Sequence, residues 1–316
     1  MEKKLTIITT TYNSSRYLPL FFDNVLNLSA LETYHFLLIM NVPDAKEKQI
    51  ANSYQQKFPE LFTIIEVDQR ETIGASINRG FRQVKTPYCS YLDVDDIRVS
   101  DSYLRQIDTL ENNPNVDFTY GDFMIVPDMG VTSGVYITAI EFDPIEFTRG
   151  CYASPTQLFR TSLLDKILGF DEQLTSGGDF DFQVRAALNC KFKKTPGLMC
   201  YYTKSPKNNS ASSGIKQPLE RTVIELRYGA YDKTMALKGF PYIELARKYR
   251  LDSILIAGDW QPIQTAVPLP TDTQNPDRKK LETAYFWWKI YHPAVSFYRL
   301  VLKTIKTIFK PIYQKG

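Results

Sequence analysis

Three aspartates crowd into four positions of the chain, Asp93, Asp95 and Asp96, directly after a short apolar run that ends at Leu92. Carboxylates packed this closely repel one another, so ionising all of them requires a cation or several hydrogen-bond donors nearby. Mg²⁺ and Mn²⁺ prefer carboxylate oxygens together with diphosphate oxygens, and such an ion stabilises a diphosphate leaving group. The alternative is a solvated turn, or a cap for a helix expected to begin near Ser100.

The sequence around this cluster alternates short apolar runs with amphipathic stretches. The expected elements are, in order, strand 4–10, helix 16–30, strand 35–40, helix 44–57, strand 62–66, helix 73–84 and strand 88–92. Strands that alternate with helices of this length predict βαβ units in an α/β fold, with an open, mostly parallel, twisted sheet flanked by helices. Ligands bind such sheets at the carboxyl ends of the strands, so the residues that follow each strand are the candidates for chemistry.

Beyond residue 100 the pattern is mixed. The expected elements are helix 100–112, strands near 116–126 and 131–138, helix 143–148, strand 153–160, helices 161–168 and 179–189, and a strand near 197–203. We therefore place the α/β domain at 1–205. Residues 217–258 look helical and indicate a helical C-terminal extension at 206–260, and 261–283, rich in Pro, Thr, Gln and Asp, reads as a linker.

Four polar motifs occur along the α/β domain, two of them directly after predicted strands. They are, in order, Thr10-Thr11-Tyr12-Asn13, Gly74-x-x-x-Asn78-x-Gly80, Leu92-Asp93-Val94-Asp95-Asp96 and Gly177-Gly178-Asp179-Phe180-Asp181-Phe182-Gln183-Val184-Arg185. In type and order they resemble the motifs of the family 2 glycosyltransferases. The resemblance covers roughly residues 4–205 and implies a GT-A fold with inverting sugar transfer from a nucleoside-diphosphate sugar.

The same resemblance implies roles for the residues that would bind the donor. Thr10 and Tyr12 would face the base and ribose, with the Tyr12 ring stacking on the base, and packing is the alternative for that ring. Asn41 stands where the family usually has an aspartate on the nucleobase, which leaves the preferred base open. Asn78 would hold the nucleotide side of the pocket or, alternatively, serve packing. Asp93 would contact the ribose or the sugar side of the donor.

The resemblance also implies a metal ligand and a base. Asp95 would be the principal ligand of a divalent cation, Mn²⁺ or Mg²⁺. Asp179 matches the family's general base, which takes the proton of an acceptor hydroxyl as its oxygen attacks the anomeric carbon opposite the departing nucleoside diphosphate. Asp179 also suits a helix N-cap, and the two roles are compatible because a cap fixes the carboxylate at the helix mouth.

Two departures from the family pattern affect this site. The residue before the base is Gly178 where the family usually has Glu, and Ser205 stands where we would look for a further metal-binding His. The expected metal ligands are therefore reduced to Asp95, water and phosphate oxygens, with Lys204 or Lys207 as a charge partner for the diphosphate.

Positive charge is concentrated at the C-terminus. The formal net charge is only +3, yet residues 284–316 contain six Lys or Arg and no Asp or Glu. The near-neutral remainder lacks the basic stripe of a nucleic-acid-binding domain. Read as a helix, 294–312 has apolar residues on one face and basic residues on the other, which is typical of an interfacial membrane helix. Packing on the catalytic domain or on a dimer partner is the alternative.

The compartment is indicated by the cysteines and the N-terminus. Four cysteines are scattered without metal-ligand spacing, and the first residues lead directly into a short strand-like run instead of a long apolar signal region. We therefore expect a cytoplasmic protein whose basic segment would hold it at the anionic inner face of the membrane.

The sequence thus predicts an inverting glycosyltransferase. It would move a sugar from a nucleoside-diphosphate sugar to a hydroxyl of a glycan or lipid-linked glycan acceptor in cell-surface polysaccharide synthesis. A catalytically silent nucleotide-sugar or carbohydrate-binding homologue is the alternative: Gly178 and the missing His favour it, and the presence of Asp93, Asp95 and Asp179 opposes it. A Rossmann-type dehydrogenase or methyltransferase is disfavoured, because no Gly-x-Gly-x-x-Gly follows the first strand.

Overall fold

The first part of the chain forms the parallel half of a sheet, as the alternating pattern predicts. The computed structural model describes residues 2–204, 215–228, 246 and 248–266. Its first elements are β1 (Leu5–Thr11), α1 (Leu18–Leu26), β2 (Tyr34–Asn41), α2 (Ala45–Lys57), β3 (Phe62–Val67), α3 (Ile73–Phe81) and β4 (Tyr88–Tyr91). Strand β1 pairs in parallel with β2 and β4, and β2 pairs in parallel with β3. The carboxyl ends of these four strands therefore lie at one edge of the sheet.

The next part completes the sheet with strands of both directions. Its elements are β5 (Ile97–Arg98), α4 (Ser102–Glu111), β6 (Phe118–Val126), β7 (Val135–Ile137), β8 (Leu158–Arg160), α5 (Leu163–Ile167), α6 (Gly178–Asn189) and β9 (Phe192–Thr203). The strand order is β3-β2-β1-β4-β8-β6-β9-β5, with β7 paired to β6. Strand β8 is antiparallel to both β4 and β6, so β6 ends at the same edge as β1 to β4. The predicted α/β class with a mostly parallel sheet is confirmed.

Two predicted elements differ from those observed. The helix expected at 143–148 is only the 3-10 turn Glu146–Thr148, because Asp143 Oδ1 accepts the N–H groups of both Ile145 and Glu146. The strand expected at 153–160 is limited to β8. Its first residues bond elsewhere, since the N–H groups of Tyr152 and Ala153 donate to the Gln183 side chain on α6.

Helices cover both faces of the sheet, and the apolar residues of β1 alternate between them. Leu5 and Ile7 lie in the core shared with α1, α2 and α4, whereas Ile8 lies in the core shared with α3, α5 and α6. Helix α3 can approach β1 closely because residue 80 is a glycine. A Cβ at this position would lie only 2.7 Å from the Ile8 side chain. Gly80 therefore acts through its missing side chain, which lets α3 pack directly against β1.

A helix and a hairpin pack beside α6. Helix α7 (Lys216–Tyr228) lies within the segment 206–260, for which a helical extension is predicted. Strands β10 (Ser253–Ile256) and β11 (Asp259–Pro262) form an antiparallel hairpin where a helix up to 258 and a linker from 261 are expected. The hairpin forms because Ala257 and Gly258 both adopt positive φ, as a two-residue turn requires, and because Leu255 N–H donates to Asp171.

Most of the C-terminal predictions concern residues that the structure does not describe. The segment 284–316, the greater part of the linker at 261–283, Ser205 and Lys207 all lie outside the described residues. Within the described ranges, no helix has the length and hydrophobicity needed to cross a bilayer.

Candidate active site

The carboxyl ends of the parallel strands bring the predicted site residues to one edge of the sheet. Thr10 is half-buried near the end of β1, and the exposed Tyr12 follows that strand. Asn41 is the last residue of β2, and Asp93 lies two residues beyond the end of β4. Because these strands are parallel neighbours, residues separated by up to 83 positions share one edge.

The three strand-end aspartates occupy different environments. Asp93 is exposed, Asp95 is half-buried and Asp96 is completely buried. Asp96 Oδ1 accepts the Thr203 N–H at 2.8 Å, so Asp96 ties this loop to β9. The second oxygen of Asp96 has no hydrogen-bond partner among the described residues. Asp96 is therefore a loop anchor, and Asp93 and Asp95 are the two carboxylates that solvent or a ligand can reach.

The electrostatics of the cluster favour a cation. The surrounding protein raises the pKa of Asp93, and the charges of Asp95 and Asp179 raise it further. Burial also raises the pKa of Asp95, although the Arg16 charge opposes this. A divalent cation would offset the negative charge of the Asp93 and Asp95 carboxylates. Carboxylate oxygens are the ligands that Mg²⁺ and Mn²⁺ prefer.

The protein supplies few metal ligands of its own. Within the described part of the chain, no group of three or more His, Cys, Asp or Glu residues is arranged to hold a metal ion. The side chains present thus fit a cation only if phosphate oxygens and water complete its coordination, which is the usual situation for Mg²⁺ at phosphate sites.

Asp179 lies in the first turn of α6. The N-cap of this helix is Gly177, without a side-chain cap, so Asp179 is not the N-cap residue. Its Oδ1 accepts the Phe180 N–H at 2.8 Å, and its Oδ2 lies 3.8 Å from the Cys151 thiol. Burial raises the pKa of Asp179, with a smaller contribution from the Glu220 charge. A half-buried carboxylate with one oxygen held and a raised pKa has the properties of a general base.

Asp179 interacts electrostatically with the strand-end cluster. The charge of Asp179 raises the pKa of Asp93, and both charges raise the pKa of the buried Tyr91, after burial itself. Tyr91 is the last residue of β4, and its ring packs edge-on against Phe170 at 5.2 Å between centroids. Two carboxylates that are 86 positions apart in the sequence are therefore brought together.

Arg70 is a site residue that sequence reasoning missed. Its guanidinium carbon lies 3.4 Å from the centroid of the Tyr12 ring, so a cation stacks on the ring expected to meet the base. Arg70 follows β3 as Tyr12 follows β1. That strand-end position was the available signal, because the rule that ligands bind at strand ends applies to every strand of the sheet.

The two predicted asparagines bond within the protein. The Asn41 side chain donates to Glu71 O at 2.8 Å and accepts the Glu71 N–H at 3.2 Å. Asn78 accepts the Phe170 N–H at 2.8 Å and donates to Phe170 O at 2.9 Å and to Glu172 Oε1 at 2.8 Å. Asn41 thus holds the loop after β3, and Asn78 holds the segment before α6. Both side chains are thus held in position, and their contacts with the donor stay a prediction.

Glu220 on α7 is a second residue that the sequence did not indicate. It is fully buried, and its carboxylate accepts hydrogen bonds from Thr175, Ser176 and Gly177, the three residues before α6. No motif or periodicity predicts this contact, since it joins positions more than forty residues apart.

Comparison with known proteins identifies the family. The family model described as glycosyl transferase family 2 matches residues 6–168, which is just over half of the chain. The chain therefore belongs to glycosyl transferase family 2, and its fold is of the GT-A type, as the motifs indicate.

Relatives in sequence are distant. The chain is 25% identical over 227 residues to an uncharacterized glycosyltransferase of Methanocaldococcus jannaschii, covering 69% of this chain and 77% of that protein. It is 23% identical over 256 residues to the poly(ribitol-phosphate) beta-glucosyltransferase of Bacillus spizizenii, covering 80% of this chain and 39% of that protein. The chain thus spans well under half the length of this second relative.

Two solved structures share the fold. S. aureus TarS residues 1–349 in complex with UDP-GlcNAc has a TM-score of 0.59 at 18% identity, covering 77% of this chain and 71% of that one. The mannosyltransferase PcManGT from Pyrobaculum calidifontis, in complex with GDP-Man and Mn²⁺, has a TM-score of 0.53 at 13% identity, covering 99% and 83%. These likenesses concern the fold alone.

Proposed function

We propose that this chain is an inverting glycosyltransferase. It moves a sugar from a nucleoside-diphosphate sugar to a hydroxyl of a glycan or lipid-linked glycan acceptor in cell-surface polysaccharide synthesis. The observation that carries the proposal is the electrostatic interaction of Asp179, in the first turn of α6, with Asp93, which follows β4 at the end of the parallel strands. Family membership and the UDP-GlcNAc and GDP-Man complexes of the structural neighbours support the donor class.

The proposed reaction is a single displacement with Asp179 as base. Asp179 Oδ1 is held by the Phe180 N–H, and Oδ2, which also accepts the weak hydrogen bond of the Cys151 thiol, takes the proton of the acceptor hydroxyl. The acceptor oxygen then forms a bond to the anomeric carbon as the bond to the diphosphate breaks, and the leaving group departs with the bonding electrons. Because the base and the leaving group lie on opposite faces of the anomeric carbon, the transfer inverts the configuration of that carbon.

At the donor end, exposed and half-buried side chains hold the nucleotide. The Tyr12 ring offers a stacking surface for the base, and Arg70, which stacks on this ring, supplies a positive charge beside it. Thr10 and Asp93 contact the ribose and the sugar side of the donor. These contacts orient the sugar so that its anomeric carbon faces Asp179.

A divalent cation, Mn²⁺ or Mg²⁺, fits the acidic part of this site. Asp95 is its principal protein ligand in this proposal, and Asp93 lies beside it. The cation supplies charge neutralisation for the diphosphate leaving group. The Mn²⁺ in the PcManGT complex supports this assignment.

A donor screen tests the proposal. Thermal shift and nucleoside-diphosphate release would be measured against a panel of UDP- and GDP-sugars with Mn²⁺ or with EDTA. We expect one donor class to raise the melting temperature and to be turned over, and both effects to weaken in EDTA. The Asp95→Ala variant should lose the Mn²⁺-dependent part of donor binding. Donor affinity that is equal with EDTA and Mn²⁺ would exclude the metal role.

A catalytically silent homologue is the second candidate. Gly178 replaces the usual acidic residue before the base, and the described residues contain no complete metal-ligand group. This candidate predicts donor binding without release of nucleoside diphosphate in the same screen.

The C-terminal segment is the basis of a proposal about location. We propose that the six basic residues in 284–316 hold the enzyme at the inner, anionic face of the cytoplasmic membrane. This location would suit a lipid-linked acceptor.

A further inference from the structure

Helix α7 places one buried carboxylate directly on the loop that precedes the proposed base. Glu220 Oε1 accepts the N–H and the hydroxyl of Thr175, each at 2.8 Å. Its Oε2 accepts the N–H groups of Ser176 and Gly177, each at 2.7 Å. Four hydrogen bonds from three consecutive residues therefore converge on one side chain, and that side chain is fully buried.

These bonds act where α6 has no cap of its own. The N-cap residue Gly177 has no side chain, and no side-chain cap hydrogen bond is made there. A helix N-terminus leaves N–H groups without partners inside the helix and favours a negative charge nearby. Glu220 supplies an acceptor and a charge to the backbone that leads into this terminus. The contact is close, since a Cβ at Gly177 would lie 3.2 Å from the Glu220 Cβ.

The residue after Asp179 is also held by α7. Phe180 packs in a core cluster with Leu219, Val223 and Ile224, and the Arg221 guanidinium lies 4.3 Å from its ring centroid. Asp179 thus lies between two segments that the same helix holds. The Asp179 carboxylate in turn accepts the Phe180 N–H.

We infer that Glu220 is the positioning residue of the proposed base, fixing the loop 175–177 so that Asp179 Oδ2 is held where it can accept the proton of the acceptor hydroxyl. This inference rests on the proposed function, and it adds that the catalytic geometry depends on a helix beyond the α/β domain. Glu220 itself does not touch the reacting atoms.

Kinetics of a Glu220→Gln variant provide the first test. The amide keeps the size of the side chain but turns a donor toward the loop N–H groups. Because a misplacement of about 1 Å costs roughly 100-fold in rate, we expect kcat per folded molecule to fall roughly 10- to 100-fold, while the donor KM stays near the wild-type value. Glu220→Asp keeps the charge and should recover part of the rate.

Asp117→Asn is the matched control. Asp117 also accepts a backbone N–H, that of Lys191, and pairs with Lys166 at 2.9 Å. It precedes β6 and so lies at the opposite edge of the sheet from Asp179. We expect its kcat to remain unchanged, which separates positioning of the base from the general effect of losing a carboxylate.

The reactivity of Cys151 provides a second test that needs no activity. Its thiol bonds to Asp179 Oδ2, and after burial the Asp179 charge is the next cause of its raised pKa. Loss of that carboxylate should make the thiolate form more readily, so N-ethylmaleimide should react faster. We expect Asp179→Asn to set the upper rate, Glu220→Gln to approach it, and Asp117→Asn to match the wild type.

The kinetic and alkylation measurements distinguish failure of the inference about Glu220 from failure of the proposed function. Wild-type kcat and wild-type alkylation in folded Glu220→Gln would overturn the inference, even if its melting temperature fell, since the role would then be purely structural. Wild-type protein that transfers no sugar would contradict the proposed function, and the alkylation rates alone would then decide whether Glu220 places Asp179.

Discussion

At the scale of single residues, the three aspartates that follow β4 differ in their environments and roles. Asp96 is buried and bonded to the backbone of β9, whereas Asp95 is half-buried and Asp93 is exposed. The surrounding protein raises the pKa of each of the three, and the charges of neighbouring carboxylates raise the pKa of Asp93 and Asp96 further. The crowding seen in the sequence therefore resolves into one structural aspartate and two that can serve a ligand.

The Tyr12 ring provides a prediction about donor affinity. In Tyr12→Ala, we expect the donor Kd to rise on the order of tenfold, about 1.4 kcal/mol, because the stacking surface is lost. Tyr12→Phe should bind nearly as well as the wild type. Calorimetry on both variants would measure this.

Trp260→Ala is the control for this prediction. Trp260 is also a partly exposed ring with an arginine over it, Arg250 at 4.0 Å, but it lies in the β10–β11 hairpin. Its loss should leave the donor Kd unchanged. If Trp260→Ala and Tyr12→Ala raised the donor Kd equally, the effect of the Tyr12 substitution would not be specific to the site.

The site residues that could be predicted from the sequence are those that lie just beyond the end of a strand. Asp93, Asp95 and Tyr12 were found because each lies just beyond a strand whose pattern is clear. Asn41 and Asn78 were assigned to the donor pocket by resemblance, and their hydrogen bonds to distant backbone could not be predicted, because such bonds leave no local pattern. Glu220 was missed for the same reason.

At the scale of elements, a buried ionic network joins α6 to α7. Arg227 donates to Asp181 Oδ1 and Asp171 Oδ2, each at 2.7 Å, and Arg185 donates to Asp181 Oδ2 at 2.8 Å. Burial opposes the ionisation of Asp181, but the charges of Arg185 and Arg227 outweigh it and lower its pKa. The helix that carries the proposed base is thus linked to α7 by charge as well as by apolar packing.

Arg227→Met should therefore destabilise the protein in a pH-dependent way. At pH 7 the substitution leaves buried carboxylates without a cation, so we expect a loss of about 3–5 kcal/mol in the free energy of unfolding. Because the pKa of Asp181 is lower in the folded protein than in the unfolded chain, its ionisation stabilises the fold at pH values above the unfolded pKa of about 3.9. That stabilisation is lost as the pH falls through the folded pKa. The difference between wild type and variant should therefore shrink as the pH falls below about 4.

Urea denaturation at pH 7 and at about pH 3 would measure this difference. Arg149→Met is the control, because Arg149 pairs with Glu146 on the surface and such pairs contribute about 0–1 kcal/mol. A loss in Arg227→Met that is equal at both pH values would show that packing, not charge, is responsible.

Periodicity predicted the sheet and its main helices more accurately than the connections between them. Strands β1 to β4 and helices α3, α4 and α6 agree with the predictions to within a few residues. Residues 253–262 were mistaken for helix and linker, because the hairpin depends on a turn at Ala257-Gly258 and on pairing with the segment after α5. A short run such as Ser253–Ile256 has too few residues to show a period.

At the scale of the whole molecule, charge is distributed unevenly along the chain. Residues 284–316 carry six basic residues, twice the formal net charge of the entire protein. Basic residues near an anionic membrane contribute about 1 kcal/mol each, so this segment can provide substantial surface affinity.

We predict that the full-length chain sediments with vesicles containing anionic lipid, and that a chain truncated at residue 280 does not. Replacement of Lys303, Lys306 and Lys310 by Ala in the full-length chain should weaken sedimentation, and added salt should do the same. Equally poor sedimentation of the full-length and truncated chains would exclude the membrane role.

The central claim is that this member of glycosyl transferase family 2 uses Asp179 as its base, and Asp179→Asn tests it most directly. Nucleoside-diphosphate release and donor Kd would be measured on the wild type, on Asp179→Asn and on Asp165→Asn, an exposed control on α5. We predict that Asp179→Asn loses roughly 10²- to 10⁴-fold in turnover while its donor Kd stays near the wild-type value. Unchanged turnover in Asp179→Asn would contradict the account.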